Sequence, residues 1–564
     1  MDKNWHSSIE ACEVANDSVD IPWDDRADVI VIGLGAAGVS CSLQALELGQ
    51  SVIAIDRFDG GGATVASGGV IYAGGGTAPQ LDAGIEDTPE NMFNYLKMEV
   101  GDIIKDSTLK DFCEQSAPTI SWMQSHGVDF RSDYWPNKTS YPAPEYFLYH
   151  SDNSLIDSYK AKAKPAARGH RGYVPIEQGR KAQNLGGALF EPLLHSAIEL
   201  GLKLKTYSEA RQLVTDDTGK IIGVKILTFP DPAIQQEYQS MRKKAQRLMT
   251  IYPSVLPGFS FFMRKALKIL AQAAALETQR SAHYIRADKG VLLSAGGFVF
   301  NRKMLKEHAP KYRRCFPLGT DGDDGAGICL GQSAGGAVGN MDRATAWRFI
   351  NPPLSFAKGM IVNSQGQRFI NEMVYGATLG VELAENQQGK AWLILDKEMV
   401  KRSMKDVSGK KALAFQKALA KLNVYFGSTK ATTIEKLAEK IGIDGNALRN
   451  TLASYNAVGK GEISDDFGKG VDDIATLQSS PYYAIDIGLQ AKLFPCPALT
   501  LGGLRVEETT GQVLTGDGQT LAGLYAAGRN AIGVASWNYV SGLSIADGIY
   551  SGRRAARAMA RPNP

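Results

Sequence analysis

The chain is short of most features that would narrow its class at once. Cysteine is scarce: Cys12, Cys41, Cys113, Cys315, Cys329 and Cys496 are scattered through 564 residues, with no CxxC pair and no metal-ligand spacing. That excludes a disulfide-built fold and a zinc module, and it fits free thiols in a reducing compartment. Net charge is only +3, too little to imply a nucleic acid partner. No run of about 18 apolar residues is available to span a bilayer. Residues 1–25 are polar and carry acids, without the apolar stretch or twin arginine of an export signal, so a cytoplasmic protein is expected. Glycine is what the chain has in quantity, 60 residues of it, and it clusters.

Asp28-Val29-Ile30-Val31-Ile32-Gly33 reads as a buried parallel strand, short, β-branched and closed by glycine. Ala37 to Gly49 reads as a helix stopped by glycine, and Ser51-Val52-Ile53-Ala54-Ile55-Asp56 as a second strand ending on an acid. Strand, GxGxxG, helix, strand, acid is the dinucleotide-binding fingerprint. Gly33 makes the tight turn, Gly35 lets a pyrophosphate approach the backbone, and Gly38 lets helix and strand pack closely. The helix start at Ala36 and Ala37 offers N–H groups and a partial positive charge. Asp56 would accept from a ribose diol and disfavour a 2′-phosphate; Arg57 beside it joins the candidate set.

The loop Gly60 to Gly69 follows directly. Through Gly61, Gly62, Ala63, Gly68, Gly69 and the hydroxyls of Thr64 and Ser67 it can lie along a cofactor longer than NAD, although a merely flexible glycine loop reads the same way. It contains no histidine, so the expected cofactor is non-covalent FAD. Two distant segments complete the pattern: Gly290 to Phe298, with Ala295 and Gly296, and Gly523 to Arg529, with Gly528. Both resemble the strands that return to the FAD site in the succinate dehydrogenase/fumarate reductase flavoprotein superfamily. The resemblance implies that the helix after Gly542, opening with Ser544 and Ile545, points its N-terminus at the flavin.

Dinucleotide signals at both ends imply an α/β fold with an α+β cap: a Rossmann-like, discontinuous FAD-binding domain (27–340 and 500–564) with a substrate-capping catalytic domain inserted at 341–499. Residues 1–26 are expected as an N-terminal extension. Ile361 to Glu372, expected as strand, turn and strand, resembles the superfamily's cap, as do two helices over Thr432 to Tyr455 around a Gly442–Gly445 turn. Residues 225–288 are expected as an insertion interrupting the sheet. Within it, over 237–272, Arg242, Lys243, Lys244, Arg247, Arg264, Lys265 and Lys268 stand among aromatic and aliphatic residues, broken by Pro253 and Pro257. That composition suits a peripheral contact with the inner face of an anionic membrane, or a helical hairpin packed on protein.

A flavin oxidoreductase needs a group that polarises the substrate and one that takes a proton. Tyr539 and Ser541, separated by one residue, face the same way in an extended stretch just past the Gly528 strand. Tyr375 follows Asn371-Glu372 in the cap. A tyrosine, any residue, serine and glycine before the last helix, with a tyrosine after the RF-x-NE segment, resembles 3-ketosteroid Δ4-(5α)-dehydrogenases; so does Pro165 to Arg171. By that resemblance Tyr539 hydrogen-bonds a C3 ketone, Tyr375 and Ser541 remove the C4 proton, and the C5 hydrogen leaves as hydride to the flavin, with an external electron acceptor. A steroid-like apolar ketone is the implied substrate. The tyrosine cluster Tyr134, Tyr141, Tyr146 and Tyr149 reads either as pocket wall or as core, and His170-Arg171 as a surface turn or cofactor-side loop. A 3-ketosteroid Δ1-dehydrogenase places glycine where Leu543 stands. A fumarate reductase-like ene-reductase needs cations after Asn371-Glu372, where Met373 to Gly380 has neither arginine nor histidine. A non-catalytic flavin-binding redox protein is the remaining alternative.

Overall fold

The computed structural model describes residues 9–15, 21–174, 185–250, 259–409 and 411–561. Its frame is one large sheet. β1 (Trp23–Ile32), α1 (Ala36–Glu47) and β2 (Val52–Ile55) form the first βαβ unit, its strands parallel. They are followed by β3 (Lys203–Lys205), β4 (Glu209–Thr215), β5 (Ile221–Thr228), β6 (Ser281–Leu293) and, far along the chain, β7 (Thr520–Ala526). The order runs from the two-residue strand Glu13–Val14 through β4, β5, β6, β1 and β2 to β3, with β7 also paired to β6. β6 lies parallel to β1, antiparallel to β5 through its first half and parallel to β7 through Val291–Leu293. The chain thus returns from two distant places to the strand that carries the glycine motif. The last helix, α4 (Leu543–Ala560), crosses α1 so closely that a Cβ on Gly552 would stand 2.2 Å from the Ala37 carbonyl oxygen.

Three expectations change. Residues 1–26 are not an appendage over their described part: Glu13–Val14 pairs parallel with β4, and β1 already begins at Trp23. The start of β1 was hidden because Asp24 and Arg26 face solvent there, diluting the apolar signal. Nor do residues 225–288 interrupt the sheet. Lys225–Thr228 finish β5, Ser281–Asp288 belong to β6, and the ladder runs from Gly223↔Arg286 to Thr228↔Ser281. What leaves the sheet is a hairpin of α2 (Pro232–Thr250) and α3 (Phe259–Leu276), with Pro253 and Pro257 outside the described residues. Its root is packed on the body: the Arg242 guanidinium lies 3.9 Å from the Phe58 ring centre and pairs with Asp321. Third, Met360–Val362 forms a strand but no second strand follows. The Glu372 carboxylate itself accepts from the Ile361 N–H (3.0 Å), Arg368 (2.9 Å) and Lys469 (2.9 Å), so a side chain does the cross-linking that strand pairing would have done.

Above the large sheet, Met360–Val362, Trp392–Leu395, Tyr482–Asp486 and Ser428–Ala431 make an antiparallel sheet, and Ile434–Ile441 and Gly445–Gly459 the expected helix pair. The two chain crossings between the bodies, Ala344–Ala346 and Pro497–Thr500, pair with each other. A smaller sheet of short strands contains Leu148–Tyr149 and Gly169–Arg171. His170 and Arg171 are therefore buried rather than on a surface turn: His170 bonds Thr77 at 2.8 Å, and burial pushes its pKa down to about 4. Beside them Arg168 has no exposure and grips Asp87 through Nε (2.8 Å) and Nη2 (2.7 Å). Arg168→Met leaves that buried carboxylate unpaired and is expected to cost about 3–5 kcal/mol in urea unfolding; stability within error of the parent would contradict the pairing.

Candidate active site

A cavity of about 570 Å³ lies where the ends of β1, β2 and β6 and the starts of α1 and α4 meet the cap. One end is lined by glycine, backbone and charged groups, the other by Trp347, Phe349, Phe356, Leu419, Phe494 and Leu499. Of the expected cofactor residues, Gly33, Gly35, Ala36, Ala37, Asp56, Arg57, Gly62, Ala63, Thr64, Ser67, Gly68, Ala295, Gly296, Gly528, Arg529, Ser544 and Ile545 line it. Gly38, Gly61 and Gly69 stand behind the wall. A Cβ on Gly38 would be 2.1 Å from the Gly33 oxygen, so its role is to let α1 approach β1.

The geometry of this end suits a dinucleotide. Gly33 has φ +91°, and a Cβ there would lie 2.6 Å from the Ala295 Cα. Asp56 accepts from the Leu34 N–H (2.9 Å) and the Phe58 N–H (2.8 Å), so it also ties the loop; burial pushes its pKa up. Thr64 Oγ1 accepts from the first helical amide, Ala36, at 2.9 Å. Arg57 is held by Asp324 at 2.7 Å. Arg529 is held by Asp323 through Nη2 (2.6 Å), while its buried Nη1 has no partner among the described residues. An unmatched guanidinium N–H over a glycine cradle fits a polar, phosphate-bearing cofactor.

At the other end Tyr375, Tyr539 and Ser541 all face the same cavity. Tyr539 lies on Trp347, ring centres 5.0 Å apart, and is buried. Burial pushes its pKa up to about 12, although Arg529 and the N–H groups of Ser544 and Gly542 oppose the shift. Gly542, at φ +85°, is the turn that places them; a Cβ there would meet the Tyr72 nitrogen at 2.6 Å. Tyr375 caps the helix Gly376–Glu385, its N–H on Asn153 Oδ1 at 2.6 Å. Burial holds its hydroxyl well above the usual phenol range, the neighbouring Tyr539 and Tyr149 add to this, and Ser541 opposes it. Both phenols are therefore donors at neutral pH. The sign for stability follows: the unfolded phenol ionises near pH 10 and folded Tyr539 near 12, so its contribution is intact below pH 10. It is lost between pH 10 and 12, by roughly 3 kcal/mol in all. Urea midpoints measured across that window should fall less in Tyr539→Phe; identical slopes would contradict the assignment.

The tyrosine cluster, read as pocket wall or core, divides between the two, and Asn153 and the helix Ala414–Tyr425 were not anticipated. Tyr149, one of four clustered tyrosines, touches Ser541 (Oη to Oγ 3.3 Å), and Tyr141 reaches the Gly68 carbonyl. Asn153, which positions Tyr375, is itself held by Tyr95 (2.9 Å) and Glu99 (2.8 Å). Tyr134 instead packs on His150 and Tyr146 on Trp135, away from the cavity. The distal wall comes from the helix Ala414–Tyr425, through Phe415, Gln416, Leu419, Ala420 and Asn423.

A dinucleotide cradle opening into an apolar chamber with convergent hydroxyls defines a flavin-dependent oxidoreductase. The chain belongs to the FAD binding domain family, whose model matches residues 28–545, and FAD is its cofactor. It is 34% identical over 516 residues, 90% of this chain and 93% of the other, to a 3-oxo-5-alpha-steroid 4-dehydrogenase of Comamonas testosteroni. It is 24% identical to a 3-oxosteroid 1-dehydrogenase of Mycolicibacterium smegmatis, covering 89% of this chain and 91% of that one. Among solved structures, it is similar to the 3-ketosteroid-delta4-(5alpha)-dehydrogenase of Rhodococcus jostii RHA1 in complex with 4-androstene-3,17-dione. That match has a TM-score of 0.80 and 27% identity, covering 98% of this chain and 100% of that chain. The α/β fold with its FAD-binding domain is thus the expected one. Among the described residues, no helix is long and apolar enough to cross a membrane.

Proposed function

We propose that the protein is a 3-ketosteroid dehydrogenase that introduces the C4–C5 double bond, with residues 341–499 as its cap and an external electron acceptor. The carrying observation is the convergence of Tyr375, Tyr539 and Ser541 on one apolar chamber continuous with the FAD cradle. Tyr539, held neutral and hydrogen-bonding, donates to the C3 ketone oxygen and so acidifies C4. Tyr375 and Ser541 take the C4 proton. Because the Tyr375 phenol stays neutral, it accepts the C4 proton only as it releases its own, and Ser541 with Tyr149 behind it supplies a hydroxyl path whose final acceptor is solvent water. Bound FAD supplies the hydride acceptor for the C5 hydrogen.

Competing chemistry is less well served. Among the described residues no arginine, lysine or histidine lines the apolar end, so a dicarboxylate ene-reductase has no clamp. Leu543 is buried and does not line the chamber, which counts against the Δ1 arrangement. Three hydroxyls aimed into one chamber count against a flavoprotein that merely binds. We also place the protein in the cytoplasm with peripheral membrane contact through 237–272, where Phe261 and Leu267 are exposed beside Arg264, Lys265 and Lys268. The test is turnover of 5α-androstane-3,17-dione with a dye acceptor. The product is expected to show a C4 vinyl proton by NMR; a C1–C2 alkene would refute the regiochemistry, and no product from any 3-ketosteroid the activity.

A further inference from the structure

The helix Ala414–Tyr425 is only one side chain thick between the chamber and the outside. Its inner face, Gln416, Leu419, Ala420 and Asn423, lines the cavity. Its outer face carries exposed apolar residues: Tyr425 is 64% exposed and Phe426 at its end 78%, with Ala418 exposed as well, and Phe415, 63% exposed, sits at the rim where it also lines the cavity. At 3.6 residues per turn these positions form one ridge. A solvent-facing ridge would ordinarily be polar.

The surrounding stretch of chain is strongly basic. Residues 397–430 hold nine lysines and arginines against two acids, Glu398 and Asp406, in a chain whose net charge is +3. Asp406 is already engaged by the Ser355 N–H (2.8 Å) and hydroxyl (2.6 Å). Lys401, Arg402, Lys405, Lys411 and Lys421 are exposed, and none makes an ion pair among the described residues. Long cationic side chains beside an aromatic ridge can keep their charges at a headgroup layer while the rings enter the acyl boundary.

We infer that this face docks on an anionic phospholipid bilayer, setting the distal wall of the chamber against the layer in which a steroid dissolves. Charge complementarity selects the occupant. A second copy seated on the same patch would bring two basic clusters together. The site also differs from the α2–α3 contact, because Arg242 ties that hairpin to Phe58 and Asp321, at the dinucleotide end. The idea of substrate delivery rests on the steroid reading above; the docking itself does not.

The experiment is flotation of the FAD-loaded, full-length protein, without steroid, on vesicles of equal parts phosphatidylglycerol and phosphatidylcholine. The wild type should float at low salt, be released by high salt, and stay behind with phosphatidylcholine alone. Tyr425→Ser/Phe426→Ser and Lys401→Glu/Lys405→Glu/Lys421→Glu should each weaken flotation about tenfold or more, with flavin absorbance and melting unchanged. Phe261→Ser/Leu267→Ser in α3, at the second contact proposed above, should leave a salt-sensitive remainder that Lys401→Glu/Lys405→Glu/Lys421→Glu then removes. Failure of the wild type to float overturns the inference. So does wild-type flotation by the Tyr425/Phe426 double variant, or loss only in the α3 variant. A dimer that dissociates on the Tyr425/Phe426 change and does not float would assign the ridge to a second copy instead. Because no steroid is present, none of these outcomes bears on the dehydrogenase reading, which flavin bleaching in vesicle-free solution tests separately.

Discussion

Tyr539→Phe is expected to reduce flavin bleaching by 5α-androstane-3,17-dione by about 10²–10⁴-fold while FAD stays bound. The size follows from the site. Enolisation requires that charge developing on the ketone oxygen be met by a donor inside a water-poor chamber, where one hydrogen bond stabilises far more than in water. Tyr539 is buried, packed against Trp347 with ring centres 5.0 Å apart, and kept a donor up to about pH 12. Phenylalanine retains the ring contact and removes only the hydroxyl, so folding and cofactor content serve as internal controls. Retention of a near-parental bleaching rate, with the flavin spectrum intact, would remove Tyr539 from the reaction. The loss should fall on the bleaching rate constant and not on substrate affinity alone, since the bond is strongest where charge is greatest.

Gly33→Ala should empty the cofactor site. The residue sits at φ +91°, and its Cβ would meet three backbone atoms, with the Ala295 Cα at 2.6 Å and nitrogen at 2.7 Å. Neither neighbour is a side chain that can swing away, so the ends of β1 and β6 must part. Left-handed strain on a non-glycine residue costs on the order of 1–3 kcal/mol before that clash is counted. FAD affinity is expected to fall at least ~100-fold, read as a largely colourless protein after gel filtration. Gly516→Ala, with nothing within 4 Å, is the matched control and should stay yellow. A yellow Gly33→Ala protein of normal stoichiometry would contradict the packing.

The cofactor half of this site was legible because its demands are local. β1, α1 and β2 are contiguous, and each glycine answers a backbone constraint within reach of the motif. Strands that carry charge on one face were harder. Asp24 and Arg26 hid the start of β1, and Lys225 on β5 and Arg286 and Asp288 on β6 alternate with apolar residues, so two interior strands looked like part of an insertion. The catalytic candidates were visible as a tyrosine and serine two apart, but their supports were not. Tyr149 lies in a two-residue strand and Asn153 in a loop, too short for any periodicity to register. The helix Ala414–Tyr425 buries Gln416 and Asn423 and exposes Tyr425, so its pattern alone gives no hint of which face lines the chamber.

On the reading proposed above, a 3-ketosteroid in the chamber gives its C4 proton to the hydroxyl pair and its C5 hydride to the bound flavin. Anaerobic mixing of the yellow protein with 5α-androstane-3,17-dione tests it most directly. The flavin absorbance should bleach, with one equivalent of 4-ene product per flavin. An unchanged spectrum with this and every other 3-ketosteroid offered would contradict it.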